Sequence, residues 1–392
     1  MNQNSSNLSS HRAKFPALAN KAYFNYGGQG PLPQTALNAI YKSFQKVQTD
    51  GPFSGKIWPW VQEEMDLTRG AIASELNVSP ETITLTEDVT VGCNIPLWGI
   101  DWQPGDEILL SDCEHPGIIA AIEEIQRRFK IEVSVFPLRE TVNEGDPVAL
   151  IKKHLKPQTK LLAISHILWN TGQVLPLAEI VKVCHEKEAK PVKVLVDAAQ
   201  SVGVLPLNLT ETGVDFYAFT GHKWFCGPEG LGALYVSPEA QKELSPTFIG
   251  WRGITVNKNG EPTGFKPGGE KYEIATSATP LYAGLREAIA LHNSWGTAEE
   301  RYEKIKELSG YLWQGLKEIS HINCLRTTPP EAGLVSFVLT NGKAHKDLVN
   351  FLETREIMVR TILDPDCVRA SVHYLTSESE MEQLIAAVKE FS

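Results

Sequence analysis

The chain has 392 residues, with 37 Lys plus Arg against 47 Asp plus Glu and a formal net charge of -10. At roughly 150 residues per domain, that length suits two or three domains around a large core and excludes a peptide hormone or a small disulfide scaffold. No basic stripe or Arg-rich tail is present to neutralise phosphates, so nucleic acid is not expected as a partner. A hydrophobic content of 42% with 21% charged residues describes a globular protein, too apolar to be wholly disordered.

The first six residues, Met1 to Ser6, are polar and lack the apolar core of a signal peptide, and no run of about 18 apolar residues occurs to span a bilayer. Residues 1–20 are expected to form a frayed or draped segment, and no membrane association is expected. From Thr82 onward, short apolar runs alternate with amphipathic stretches, the pattern of strands joined by crossover helices. Strands are predicted at Thr82 to Leu85, Glu107 to Leu110, Val133 to Phe136, Lys160 to Ser165, Val192 to Val196, Phe216 to Phe219 and Gly232 to Val236. Pro116 can open a helix on which Ile118, Ile122, Ile125 and Phe129 share one face. The expectation is an α/β fold around a mostly parallel sheet.

The Gly, Pro and Lys-rich stretch Asn257 to Lys271 is expected to be a long loop or domain connection. A boundary near it divides the chain into a large domain, 21–262, and a smaller α+β domain, 263–392. In the latter, Ile305, Leu308, Leu312 and Leu316 form a helical stripe, Leu334 to Leu339 reads as a strand, and Met381, Leu384, Ile385 and Val388 mark a last helix. The six cysteines, Cys93, Cys113, Cys184, Cys226, Cys324 and Cys367, form no CxxC pair, so neither a metal site nor a disulfide framework is expected, and a reducing, cytoplasmic setting fits.

The most informative segment is Thr220 to Gly232 (TGHKWFCGPEGLG), a lysine in a Gly-rich loop between two strands. Beside Trp224, Phe225 and Cys226, the Lys223 amine is expected to be partly desolvated, which favours the neutral form that builds a Schiff base. Alone, Lys223 reads equally as a surface residue of a hairpin. Asp197 stands at the carboxyl end of an apolar strand, where open α/β sheets bind ligands. Pyridoxal phosphate requires a carboxylate against its ring nitrogen, a role Asp197 can fill, although a helix cap or ion pair would also explain it.

At these residues the chain resembles the class V aminotransferase family, in its cysteine desulfurase and selenocysteine lyase branch. The matching motifs are Asp197-Ala198-Ala199-Gln200-Ser201 and Thr220-Gly221-His222-Lys223 with Gly227-Pro228 and Gly230, and further matches run from Tyr23-Phe24-Asn25 to Arg369-Ala370-Ser371. The resemblance covers almost the whole chain. It implies the type I fold of pyridoxal-phosphate-dependent transferases (aspartate aminotransferase-like), with a large cofactor-binding domain and a smaller C-terminal domain.

Carried over, the resemblance makes Lys223 the residue that bonds the cofactor aldehyde, Asp197 the partner of the ring nitrogen, and Asn170 and Gln200 neighbours of the ring oxygen. His115 would stack on the ring, and its place after the strand Glu107 to Leu110 independently puts it on the same sheet edge. The phosphate is expected at a helix N-terminus, on the backbone of Val89 and Thr90 and the side chains of Thr220 and His222. The family usually has Ser-Gly-x-Thr-Glu here, whereas this chain carries Glu87 and Asp88; Asp88 can also cap the helix. Thr276 resembles the family threonine that reaches the phosphate across a dimer interface, which implies a homodimer.

An amino-acid substrate brings an α-carboxylate, which arginine binds with two parallel hydrogen bonds. Arg369 resembles the family arginine with this role, Arg360 a second position at the same mouth, and Asn25, Gly28 and Trp251 with Arg252 the borders of the pocket. Desulfurases of this branch carry a loop with a nucleophilic cysteine between the two arginines. Here Thr361 to Cys367 leaves only a short connection, and Cys367 reads better as a packing cysteine than as a mobile nucleophile. The chemistry left for a sulfur amino acid is β-elimination, in which the chain resembles the cysteine/cystine carbon-sulfur lyases of cyanobacteria, a resemblance that implies an iron-sulfur assembly protein as sulfur acceptor. A cysteine desulfurase using Cys367, an epimerase or aminotransferase, and a non-catalytic cofactor carrier are the competing readings.

Overall fold

The computed structural model describes residues 3–187 and 190–392. Its centre is a seven-stranded sheet built from β1 (Ile83–Thr86), β2 (Glu107–Ser111), β3 (Glu132–Phe136), β4 (Thr159–Ser165), β5 (Lys193–Asp197), β6 (Phe216–Thr220) and β7 (Gly232–Val236), in the order β1-β7-β6-β5-β4-β2-β3. β7 runs antiparallel to both β1 and β6, and all other pairings are parallel. The sheet is therefore mostly parallel, as expected, and all seven predicted strands are in it.

The inner strands read as largely apolar runs because both faces are covered, whereas the edge strand Glu132–Phe136 is partly exposed. Leu109, Leu162, Val194 and Tyr217 enter one core, packed with Ile72 and Val181, while Ile108, Leu161, Leu195 and Phe216 enter the other, packed with Ile118, Ile122 and Ile125. Successive residues of a strand thus alternate between two cores. The helix Pro116–Phe129 begins at Pro116, with His115 as its cap.

A second, antiparallel sheet contains β8 (Ile322–Cys324), β9 (Leu334–Leu339), β10 (Arg360–Leu363) and β11 (Asp366–Ser371), in the order β8-β9-β11-β10. The helices Ala298–Lys317 and Glu378–Glu390 cover it through Leu308, Leu312, Leu316, Leu384 and Val388. The N-terminal part of the chain joins this layer: Ala22–Tyr23 pairs in parallel with Ile357–Met358, and Asn25 bridges Ser371. The helix Pro280–Trp295 contributes Tyr282, Leu285 and Ile289 to the core of the large sheet.

Two expectations are corrected. Residues Gln3–Arg12 form a helix rather than a frayed segment, anchored where Arg12 pairs with Glu380 at 3.0 Å and donates to the carbonyl of Leu375; Met1 and Asn2 lie outside the described residues. The expected loop Asn257 to Lys271 contains half of an antiparallel hairpin, Ile254–Val256 with Pro262–Phe265, and the short helix Gly268–Tyr272. The hairpin is largely exposed, its strands are only three and four residues long, and a proline opens the second, so no alternation long enough to read stands out of the Gly- and Pro-rich stretch. Among the described residues, no helix is long and apolar enough to cross a membrane.

Candidate active site

The carboxyl ends of five strands of the large sheet deliver the expected residues to one edge. β1 leads into the turn before Val89, β2 into His115, β4 toward Asn170, β5 ends on Asp197, and β6 runs into Thr220 and Lys223. Asp197 is buried, and its Oδ1 accepts the amide of Ala199 at 2.9 Å, which leaves its other oxygen for a ligand. Desolvation lowers the Lys223 amine to about 8, opposed by the charge of Asp197 and reinforced by Arg369 and Arg360. Lysine, acid and arginines therefore feel one another's fields, as a shared ligand site requires.

His115 is held below the usual imidazole range, chiefly by desolvation and in part by the positive charges of Lys223, Arg360 and Arg369. Its Nδ1 accepts the amide of Gly117 at 3.2 Å, so the neutral ring carries its proton on Nε2. The cap expected of a lone histidine is present. The ring packs edge-on against Trp169 at 5.3 Å, which fixes its plane.

At the other end, Asp88 caps the helix Val89–Gly99 by accepting the amide of Val91 at 2.9 Å. The acid is turned onto the helix, and Glu87 is exposed. Val89 and Thr90 occupy the first helical positions, whose N–H groups have no intrahelical acceptor and face an anion favourably. Thr220 Oγ1 lies 2.6 Å from His222 Nδ1. Thr220 pairs with Gly232, and a Cβ at Gly232 would stand 3.0 Å from the Asp88 backbone. The absence of a side chain there lets the Lys223 loop and the helix turn meet.

The carboxylate end is marked by unmet hydrogen-bonding capacity. Arg369 is 1% exposed, and its Nη1 donates to the Trp169 carbonyl at 2.6 Å, while Nε and Nη2 have no partner. Asn25 Oδ1, Trp169 Nε1, Asn170 Oδ1 and Ser371 Oγ are buried and unpartnered in the same neighbourhood. Buried polar groups are almost always paired, so a cluster of orphans outlines a polar ligand. A Cβ at Gly27 would lie 2.9 Å from Gln200 Oε1 and Ser371 Oγ and 3.0 Å from Arg369 Nη2, and one at Gly28 would lie 2.6 Å from Asn25 Oδ1. The turn has to be glycine to approach these groups.

This donor set fits pyridoxal phosphate and an amino acid: a low-pKa amine, a buried acid, helix N-terminal amides and a buried guanidinium. Gln200 differs in detail from expectation, since its Nε2 donates to Gly27 at 2.9 Å and its Oε1 accepts from Trp224. One amide hydrogen remains for a ligand. Arg360 is exposed and pairs in register with Arg369 across β10 and β11. Thr276 and Trp251 are both exposed, and Trp251 packs edge-on against Trp58 at 5.9 Å. Arg252 is buried and donates to Ser277.

Cys367 is buried in the second sheet, its thiol pushed up to about 12 by desolvation. The connection beside it, Asp364-Pro365, is a two-residue turn with no room for a mobile loop. Burial raises the other five thiols as well. Sequence reasoning missed Trp169, Ser371 and Glu114 as parts of the site. Only their positions beside Asn170, Arg369 and His115 could have signalled them.

Residues 22–384 match the family described as Aminotransferase class-V. The solved complex of the cystine C-S lyase C-DES with its reaction product cysteine persulfide is 52% identical, with a TM-score of 0.95 over 96% of this chain and 99% of that one. A C-DES variant with glycine covalently linked to the PLP cofactor, also 52% identical, gives a TM-score of 0.96 over 97% and 99%. Isopenicillin N epimerase of Streptomyces clavuligerus is 28% identical over 376 residues, 93% of each chain. A probable cysteine desulfurase of Xylella fastidiosa is 26% identical over 400 residues, 96% of this chain and 94% of its own. With the sheet edge, the lysine, the acid and the arginine in place, the chain belongs to the class V aminotransferase family.

Proposed function

We propose that the protein is a pyridoxal-phosphate-dependent carbon-sulfur lyase that cleaves L-cystine, and L-cysteine, by β-elimination. The observation that carries this reading is the pairing of a desolvated Lys223 amine with a buried Arg369 that no carboxylate pairs with, while Cys367, the thiol between the arginine strands, is locked in the core. The 52% identity to a cystine C-S lyase supports it.

Lys223 would hold the aldehyde carbon of the cofactor, Asp197 its ring nitrogen, His115 one ring face, Asn170 and Gln200 the ring oxygen, and Val89, Thr90, Thr220 and His222 the phosphate. Bound there, pyridoxal phosphate supplies an electron-poor ring that accepts the electron pair left at Cα. Arg369 binds the α-carboxylate through its free Nε and Nη2. Arg360, exposed at the mouth, meets the second carboxylate that cystine has and cysteine lacks. The Lys223 amine, freed when the substrate's own amine takes its place on the aldehyde carbon, takes the Cα proton in its neutral form, and the Cβ–S electron pair leaves with sulfur. From cystine the leaving group is a persulfide, and the released aminoacrylate takes up water to give pyruvate and ammonia. Among the described residues burial holds every thiol protonated, so sulfur has no thiolate acceptor in the chain and alanine is not the expected product.

The persulfide is a sulfur donor suited to an iron-sulfur assembly protein, and the setting is cytoplasmic. The active form is a homodimer in which Thr276 and Trp251 complete the partner's site. Two units divide the chain as 21–262 and 263–392, with the strand Ala22–Tyr23 counted with the smaller unit and the helix Pro280–Trp295 with the larger, as their packing supports.

The test is product analysis of the holoenzyme with L-cystine. Pyruvate, ammonia and persulfide in equal amounts are expected, with turnover lost in Lys223→Ala and kept in Cys367→Ala. Alanine as the main product, lost in Cys367→Ala, would establish a desulfurase instead.

A further inference from the structure

The two arginines of the substrate mouth sit on a hairpin, β10 and β11, that belongs to the second sheet, whereas the groups that hold the cofactor sit on the first. Something must set the distance between them. The hairpin turn is gripped at one residue by two residues of the large sheet's ligand edge. Arg139 donates from Nη1 and Nη2 to the two carboxylate oxygens of Asp364, each at 2.9 Å, and Asn170 Nδ2 donates to the Asp364 carbonyl at 3.2 Å.

Arg139 is itself fixed at its base. Its backbone amide donates to Asp112 Oδ1 at 3.0 Å, and its Nη2 reaches the Asp112 carbonyl at 3.2 Å. Asp112 follows β2 directly and opens the turn that ends in His115. One guanidinium therefore connects the loop of the ring-stacking histidine to the turn between the substrate arginines. The bidentate geometry defines orientation as well as distance, which a lysine could not do.

We propose that Arg139 is a positioning residue for substrate recognition, clasping Asp364 so that Arg360 and Arg369 are held at a fixed height above the cofactor end of the sheet. The proposal rests on the reading that Arg369 binds the substrate carboxylate. The pair is half exposed, so it adds little to global stability. Its effect is on where the hairpin sits, not on whether the chain folds.

The experiment compares Arg139→Ala, Arg139→Lys and the exchanged pair Arg139→Asp with Asp364→Arg, all as holoenzyme. Three quantities are read: KM and kcat for cystine, binding of glycine followed through the cofactor absorbance, and amide exchange of residues 361–368. In Arg139→Ala and Arg139→Lys we expect KM and the glycine Kd to rise about fivefold, with kcat within about twofold and faster hairpin exchange. The exchanged pair should recover most of the loss. Glycine binding and exchange report on the clasp whether or not cystine is cleaved, so failure of the clasp is distinguishable from failure of the lyase reading. Unchanged exchange and glycine affinity in Arg139→Ala would overturn the proposal, as would a melting temperature lowered by more than about 5 °C, the sign of a purely structural role.

Discussion

Arg360 and Arg369 are register partners on adjacent antiparallel strands, and no carboxylate lies within salt-bridge distance of either among the described residues. Like charges directly opposite one another destabilise a sheet pair. Burial and the nearby Arg360 charge lower the Arg369 guanidinium to about 9. This pairing of charges carries a cost that an anionic ligand between them would relieve.

Arg369→Met should therefore separate stability from function. Removing a buried charge without a partner is expected to raise the melting temperature of the ligand-free protein, since an apolar side chain of similar volume needs no solvation. The same change should raise KM for cystine about 100-fold through loss of charge-assisted hydrogen bonds to the carboxylate. Steady-state kinetics and thermal melting on one preparation check both. A variant that is less stable and keeps its KM would remove Arg369 from substrate binding.

Cys367→Ala tests the thiol. A group protonated up to about 12 and enclosed by the second sheet has no access to substrate sulfur. Pyruvate formation is expected to stay within about twofold of wild type, while the lost sulfur leaves a small cavity that costs about 1 kcal/mol in urea unfolding. Loss of activity without loss of stability would restore a nucleophilic role.

The large sheet was legible because its inner strands are buried apolar runs between turn residues, and its edge strand Glu132–Phe136 still carries Val133, Val135 and Phe136. Where the ladder extends to Thr86, Ser111 or Thr220, the added residue is polar and paired through its backbone, which hydrophobicity does not report. Lys223 and Asp197 were legible for a related reason, as polar groups set among residues that bury them. The grip of Arg139 on Asp364 spans 225 residues and the anchoring of Arg12 to Glu380 spans 368. Neither leaves a local pattern. The isolation of Arg369 is likewise a property of the fold, because only three dimensions show that, among the described residues, no carboxylate reaches salt-bridge distance of it.

Glu114, next to His115, is buried and bonded to Ser111 Oγ at 2.5 Å and to Ser165 through Oγ at 2.7 Å and the amide at 3.1 Å. Desolvation is the main cause that raises its carboxyl from 4.5 to about 7, aided by the charge of Asp197 and opposed by the serine hydrogen bonds. The unfolded chain releases this proton near 4.5, whereas the folded one keeps it to about 7. Across that window the folded state binds more protons, so this group makes stability fall as pH rises. Glu114→Gln mimics the protonated form and should delete that slope. Urea melts at pH 5 and pH 8 are expected to differ by roughly 3 kcal/mol less in the variant than in wild type. Equal slopes would show that the carboxyl ionises normally in the fold.

The proposed dimer makes the last prediction. Trp58 and Trp251 stack edge-on at 5.9 Å, exposed on the surface, with Phe53 against Trp58 at 6.2 Å. Phe248, Ile249 and Ile274 are also exposed nearby in the chain, and Thr276 is two residues beyond Ile274. An apolar patch of this kind is unusual on a monomer and suits a protein interface. Trp251→Glu should convert the dimer to a monomer in sedimentation and weaken cofactor retention. Thr276→Val should leave the dimer intact and still release pyridoxal phosphate about tenfold more readily, because one hydrogen bond to a charged group is lost. A wild-type protein that sediments as a monomer and retains its cofactor would remove both Thr276 and the second copy from the site.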